Sequence, residues 1–332
     1  MSITRDDVAR IARVSAATVS RVFNTPELVS PDTAGKVRAA AARSGYRPNK
    51  FASALRRASS GTVMFLEPKQ GPVSENERYY LWFYADVIRA VAAVIDSSMF
   101  SLTLQSIGPD RNISDITENN RPAGIICHQI TDSRILKRIE RAGIPYVACY
   151  RLDSPSCNCV YIDEVHGGRI VGQHLADTGH TDPAHITGRL GTCLPCSQRW
   201  EGFRSVFREE PYLVDGELGI EGGYRSGLML AEAAASRRID CVFVVNDLTA
   251  VGVIQALQES GIRIPEDISV TGYDNLPFTA SLPFRLATAD ILLHEAYRKA
   301  SIRLLECMRS GGTTIRESIK PVLVPGNSVV ER

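Results

Sequence analysis

The chain has 332 residues and a formal net charge of only +1. That near-balance hides a split: residues 1–57 carry a net +7 and residues 58–332 a net −6, which points to a polyanion partner for a small basic head alone. No apolar run approaches the ~18 residues of a membrane helix and no signal peptide precedes Ser2, so membrane and secreted classes are not expected and a cytoplasmic protein is.

In chain order, Thr4-Arg5-Asp6-Asp7 fits a capping box with Thr4 as N-cap. Val8, Ile11 and Ala12 continue it as an apolar helical stripe. Ser15 can cap a second helix, Ala16 to Phe23, that turns Val19, Val22 and Phe23 inward. Ser30-Pro31-Asp32 starts a third helix, with proline in the first turn where its missing N–H does no harm. That helix runs to about Ser44, buries Val37, Ala40 and Ala41, and stops at Gly45. Two helices joined by a tight turn, with a third packed across them, make a helix-turn-helix. Lys50 to Arg57 follows as a basic helical segment too short to be stable alone.

The body, from Gly61 on, is long enough for two packed cores. Strand-like runs are Thr62–Leu66, Ser101–Gln105, Gly124–Cys127, Tyr146–Cys149, Pro183–Thr187, Cys241–Val245 and Ile268–Tyr273. Between them lie helical patterns over Tyr80–Asp96, Ser133–Ala142, Val165–Thr178, Arg199–Phe207, Tyr224–Ala235, Leu248–Ser260 and Leu292–Arg309. This alternation predicts parallel, doubly wound sheets, with no internal repeat and no low-complexity segment.

Val14-Ser15-Ala16-Ala17-Thr18-Val19-Ser20-Arg21-Val22-Phe23-Asn24, then Val29-Ser30, then Gly45-Tyr46-Arg47-Pro48-Asn49, resembles the head of the lactose-repressor (LacI/GalR) family of bacterial regulators. One departure is Arg13, in a turn where many members have glycine. The resemblance implies that Ala16, Ala17 and Arg21 stand at base-reading positions. The chemistry agrees: an arginine can donate two hydrogen bonds to guanine O6 and N7, whereas alanines can only touch thymine methyls. Thr18, Ser20, Asn24 and Tyr46 suit phosphate contacts that set register, and Asn49 is carried over as a DNA-binding residue in the same stretch. Lys50 to Arg57 resembles the family's hinge helix, and Leu55 matches the leucine that wedges into the minor groove, unstacking a base step.

In the body, Val160-Tyr161-Ile162-Asp163, Gly179-His180, Arg199-Trp200-Glu201-Gly202-Phe203, Asn246-Asp247 and Ile264 to Asp274 resemble the family's effector domain, which is related in fold to periplasmic sugar-binding proteins. The implied architecture is an all-α helix-turn-helix head plus an α/β periplasmic-binding-protein-like body of two doubly wound parallel-sheet lobes. Its expected limits are a head over 1–48, a hinge over 49–60 and a body over 61–332, with lobe 1 at about 61–160 and 290–319 and lobe 2 at about 161–289 and 320–332. A ligand is expected between the lobes, where Arg199, Asn246 and Asp274 match ligand-binding positions. Phe83 and Tyr84 match positions that stack on ligand, with plain core packing as the alternative. Pro68 to Arg78 reads as a longer polar loop than the family's, Tyr150-Arg151 stands where Asp-Arg is common, and Thr288-Ala289-Asp290-Ile291 lacks the usual glutamine. A cleft holding both Arg151 and Arg199 would suit an acidic sugar or other anion.

The function so implied is a sequence-specific DNA-binding regulator, a repressor of a carbohydrate-utilisation operon controlled by a sugar or sugar derivative. It is expected to act as a nucleoid-associated homodimer on a near-palindromic operator; Arg332 ends the chain without a heptad tail, which favours a dimer over a tail-built tetramer. An enzyme of doubly wound fold is the rival class, yet no Gly-rich phosphate fingerprint follows Thr62–Leu66 and no nucleophile motif is present. No catalytic residue, metal or cofactor is expected. A plain sugar-binding protein is opposed by the DNA head. Among eight cysteines, Cys157-x-Cys159 with Cys193-x-x-Cys196 could make a four-thiolate metal site or a redox pair; the preferred reading is free thiols in a reducing cytosol.

Overall fold

The structure is a computed structural model that describes residues 5–24, 29–44, 61–69, 75–108, 113–119, 121–152, 157–236, 238–310 and 314–332. Thr4, Gly45, Tyr46, Asn49, Leu55 and the hinge segment lie outside the described residues, as do the side chains of Ser20, Phe23 and Asn24.

The head consists of α1 (Arg5–Ala12), α2 (Ala16–Asn24) and α3 (Pro31–Ser44). Ser15 caps α2, its Oγ accepting the Thr18 N–H at 3.0 Å. Val8, Ala9, Val19, Val22, Ala34, Val37, Ala40 and Ala41 form a small apolar core. Ile11 departs from the expected stripe: it is 48% exposed and Ala9 is buried in its place, because the short α1 turns a narrower face to the core than the pattern suggested. Arg13 takes φ +54°, the left-handed conformation in which glycine is the unstrained residue.

The body holds two parallel sheets. The first contains β1 (Thr62–Pro68), β2 (Ser101–Ile107), β3 (Gly124–Cys127), β4 (Tyr146–Ala148), β5 (Cys159–Ile162) and β11 (Arg316–Ile319), in the order β11-β5-β4-β3-β1-β2. Its helices are α4 (Glu75–Ile95), α5 (Ile113–Asn119), α6 (Ser133–Arg141) and α11 (Leu293–Ser310). The strand period of two splits the core: Val63 and Phe65 face α4 and α11, while Met64 and Leu66 face α5 and α6. The second sheet contains β6 (Pro183–Gly188), β7 (Tyr212–Gly216), β8 (Cys241–Val244) and β9 (Ser269–Thr271), in the order β7-β6-β8-β9. It is flanked by α7 (Glu164–Asp177) and α8 (Leu194–Arg204) on one face and by α9 (Gly219–Ser236) and α10 (Asp247–Glu259) on the other. The doubly wound architecture is therefore present in both lobes. α7 and α8 cross through glycines: a Cβ at Gly168 would lie 2.0 Å from the Arg199 carbonyl oxygen, and one at Gly202 would lie 1.9 Å from that of Val165.

The chain leaves the first sheet at Asp163, whose carboxylate caps α7 by accepting the His166 N–H at 3.1 Å. It returns through β10 (Thr288–Asp290) and crosses again through β12 (Val322–Val324); these two pair antiparallel, so two of the three crossovers form one ribbon. α4 begins at Glu75, so the loop read from Pro68 to Arg78 is partly helix.

Candidate functional site

On α2, Ala17 and Arg21 are exposed and four residues apart, hence on one outward ridge. Ala16 is half-buried against the head core. The Thr18 hydroxyl lies 2.8 Å from Ser15 Oγ, inside the cap. Ala17 and Arg21 thus share one exposed edge of α2, while Ala16 and Thr18 serve partly to hold the helix.

In the body, the carboxyl ends of parallel strands at a topological switch point are where a ligand fits. In the second sheet that point lies between β6 and β8, and Asn246 stands two residues past the end of β8. Its Oδ1 accepts the Thr249 N–H at 2.9 Å, so the residue also caps α10. Arg199 projects from α8 into a buried network. Its Nε donates to Glu164 Oε2 at 2.9 Å, Nη2 to Glu164 Oε1 at 3.1 Å, and Nη1 to the Val245 carbonyl at 2.7 Å. Asp274 Oδ1 stands 3.8 Å from Nη2, and the guanidinium carbon lies 3.9 Å from the centre of the Tyr273 ring, whose hydroxyl donates to Glu164 at 2.7 Å. Burial opposes the arginine's charge, but the carboxylates of Glu164 and Asp274 outweigh it and hold the group protonated above its usual range. Burial pushes the Asp274 carboxyl well up against the pull of Arg199.

Three of the five N–H groups of Arg199 serve Glu164 and a backbone carbonyl, and its charge is countered by the carboxylates beside it. Arg151 lies 5.9 Å over the Tyr161 ring.

Asp274 and Asn275 have φ of +106° and +57°, two consecutive non-glycine residues in a region that costs backbone energy. They are fixed by Asp274 N–H to Ala289 O at 2.8 Å, Asn275 Nδ2 to Asp290 Oδ2 at 3.0 Å, and Leu276 N–H to Asp247 Oδ2 at 2.7 Å. Asp247 also accepts from the Thr288 hydroxyl at 2.7 Å, so it ties the Asp274 loop to the β10 crossover. Burial pushes its carboxyl up to about 7. The strained turn therefore sits where β9, a crossover and Arg199 meet.

The two aromatics part company. Phe83 packs against the second lobe's cluster of Trp200, Phe203, Tyr273 and Ile291. Tyr84 turns into the first lobe, edge-on to Phe65 at 6.2 Å, with its phenol pushed up to about 12 by burial and a bond to Glu67. His128, at the carboxyl end of β3, stacks on Phe65 at 5.3 Å and hydrogen-bonds the Tyr297 hydroxyl. Burial lowers its pKa to about 4, so the ring is neutral.

Sequence reasoning missed Glu164, Tyr273, His128 and Asp247 as members of these networks. Glu164 follows the matched Asp163, while Asp247 and Tyr273 lie inside matched stretches, which was the available signal; nothing in the sequence around His128 announced its partners. The four-thiolate site does not form. Cys193 and Cys196 are bonded to each other, Cys157 and Cys159 are buried thiols of the first lobe, and no metal-binding cluster exists among the described residues. Nor, among them, is any helix long and apolar enough to cross a membrane.

These features, a helix-turn-helix head and a two-lobed α/β body with a buried polar network in its second lobe, define a ligand-binding transcriptional regulator. Residues 4–49 match the model for bacterial regulatory proteins of the lacI family, and residues 173–329 match a periplasmic binding protein-like domain. The chain is 30% identical over 302 residues to the ribose operon repressor of Escherichia coli (strain K12), covering 86% of this chain and 87% of the relative. It is 28% identical over 316 residues to the HTH-type transcriptional repressor PurR of Vibrio parahaemolyticus serotype O3:K6 (strain RIMD 2210633), covering 92% and 90%. Among solved structures, the transcriptional regulator CelR–cellobiose complex superposes with a TM-score of 0.69 at 25% identity, covering 98% of this chain and all (100%) of that one. The lac repressor dimer bound to operator and the anti-inducer ONPF shares the fold with a TM-score of 0.69 at 22% identity, covering 99% and 100%. The chain belongs to the lacI family of bacterial regulatory proteins, as a DNA-binding transcriptional repressor with a ligand-binding body.

Proposed function

We propose that this repressor controls a carbohydrate-utilisation operon and that its effector is a neutral, hydroxyl-rich sugar or sugar derivative held between the lobes. The observation that carries the reading is the countered charge of Arg199: three of its five N–H groups are bonded to Glu164 and Val245, and Asp274 stands 3.8 Å away, so the arginine is not an uncompensated cation for an anionic ligand. Hydroxyl groups can donate to or accept from such a polar set, whereas a carboxylate or phosphate would stand beside the Glu164 carboxylate with no unpaired cation to answer it. Asn246 adds an amide at the switch point, and Phe83 adds an apolar face. A relative named for a ribose operon and a neighbour solved with cellobiose support the sugar class.

In this reading residues 1–48 form the head, 49–60 the hinge and 61–332 the effector body, with lobes exchanging near 160, 290 and 320. Two chains pair through the body and set two α2 helices in successive major grooves of a near-palindromic operator. Arg21 reads a guanine; Ala16 and Ala17 touch thymine methyls; Thr18, Ser20, Asn24, Tyr46 and Asn49 hold the backbone; and Leu55 enters the minor groove. Ligand binds one arrangement of the lobes better than the other, and that difference alone supplies the switch. The protein acts in the cytoplasm, on nucleoid DNA.

The test is thermal stabilisation of the full chain by neutral sugars, sugar acids, sugar phosphates and nucleobases. A true effector at a hundredfold excess over its Kd adds about 2.7 kcal/mol. A response confined to sugar acids or phosphates overturns the charge argument, and one confined to nucleobases overturns the carbohydrate assignment.

A further inference from the structure

Cys193-Leu194-Pro195-Cys196 opens α8, the helix that carries Arg199 and Trp200. Its two cysteines are joined in a disulfide, and the other six are free thiols. Cys193 is the N-cap residue: its Sγ accepts the Cys196 N–H at 3.3 Å, and its carbonyl accepts the Ser197 N–H at 3.1 Å. A Cys-X-X-Cys pair at a helix N-terminus is the setting that stabilises a thiolate, because helix N–H groups and the helix dipole favour negative charge there. The two sulfurs are unequally placed. Cys193 is half-buried between the exposed Thr192 and Leu194. Cys196 is 2% exposed, with its sulfur 3.2 Å from where a Cβ on Gly188 would lie, at the end of β6. An incoming thiolate can reach the first sulfur and not the second. Trp200 follows Cys196 by one helical turn and stacks on His185 at 5.5 Å between ring centres. Arg199 is three residues from Cys196, on the same side of the helix. The pair is therefore built onto the element that forms the second lobe's cleft wall.

We propose that Cys193 and Cys196 form a reversible dithiol–disulfide site that exchanges electrons with a dithiol reductant or a small disulfide, and whose state is transmitted along α8 to Trp200 and Arg199. In reduction, a thiolate of the reductant attacks Cys193 Sγ and the bond between the two cysteines breaks. Cys196 leaves as a thiolate and takes a proton. The reductant's second thiolate then attacks its own sulfur in the mixed disulfide, releasing Cys193 as a thiolate. Two electrons have passed to the pair, and the reductant has become a disulfide. In oxidation by a small disulfide, the Cys193 thiolate displaces one small thiolate, and Cys196 displaces the second as its proton is lost. The site stands independently of which ligand fills the cleft.

The experiment uses the full chain carrying Trp82→Phe, which leaves Trp200 as the single tryptophan of the two in the sequence. The chain is equilibrated in dithiothreitol or in oxidised glutathione, alkylated, and mapped by mass. Expected is the loss of two alkylatable thiols on oxidation, both at the 193–196 peptide, with a shift of Trp200 emission that the Cys193→Ser/Cys196→Ser double variant does not show. Cys196→Ser, and Cys196→Ala in parallel, should trap glutathione on Cys193, whereas Cys193→Ser should stay unmodified. Full alkylation of both cysteines after exposure to oxidised glutathione overturns the site. Equal trapping by the two single variants overturns the attack on Cys193. Unchanged Trp200 emission overturns the transmission.

Discussion

The carboxyl ends of the two sheets face the same cleft but are built from different chemistry. In the first lobe Phe65, Tyr84, His128 and Tyr297 make a stack of neutral rings, with His128 kept uncharged by burial. In the second, Glu164, Arg199, Asp274 and Tyr273 make a buried charged network in which each group answers another's lone pairs or protons. In the proposed site the first wall is neutral and aromatic and the second is polar and charged, a pairing that suits the neutral, hydroxyl-rich ring proposed as its ligand.

Breaking the charged wall has the largest expected effect. Arg199→Leu strands Glu164 and Asp274 without their partner, and removing one member of a buried pair costs about 3–5 kcal/mol. Chemical denaturation of the full chain should show that loss. A loss below about 1 kcal/mol would mean the guanidinium is solvated rather than committed, and the argument for a neutral effector would fall with it.

Next is the ligand itself, once stabilisation has named one. Asp274→Asn replaces the buried carboxyl beside Arg199 by an amide, and leaving a buried polar group unsatisfied costs about 1–3 kcal/mol, so affinity should drop by about 5- to 150-fold. On the other wall the effect should be smaller and unequal. Phe83→Ala should weaken binding by about tenfold through lost ring contact. Tyr84→Phe should change it by less than about twofold, because that ring already packs on the first core and its hydroxyl serves Glu67. Calorimetry that found the two aromatics equivalent would show that the cleft is lined differently from this assignment.

Much of the architecture was legible because it rests on local periodicity. The limits of α3, β3 and the start of α6 follow from capping, proline and β-branched runs, and the alternation of Val63 to Leu66 follows from a strand buried on both faces. The strands β5, β7, β10, β11 and β12 were not legible as strands, since three to five residues carry too little pattern and pair only through distant segments. Ile11 misled because an apolar residue at helical spacing says nothing about how wide the opposing core is. At the site, motif positions located Arg199, Asn246 and Asp274, but not what occupied them. The binding of Arg199 depends on Glu164, 35 residues away in sequence, and on a carbonyl of Val245, contacts that no spacing rule encodes.

The smallest expected effect separates the walls by pH. Burial lowers the pKa values of His166, His174 and His180 in the second lobe, and each lobe holds a deeply buried histidine kept neutral, His128 with a pKa lowered from 6.5 to about 4 and His185 from 6.5 to about 3. Below about pH 6.5 the unfolded chain binds a proton at each ring that the folded chain does not, so the stability from these groups is fully present above that pH and is lost as pH falls toward the folded values. At pH 5.5 each ring should account for about 1 kcal/mol. His128→Gln cannot take up the charge, so its stability should fall less steeply between pH 6.5 and 5 than the native chain's, while the His185 contribution remains. Parallel slopes for the two proteins would show that His128 is solvated, and the first wall would then carry a titratable cation where the contrast between the lobes requires a neutral ring.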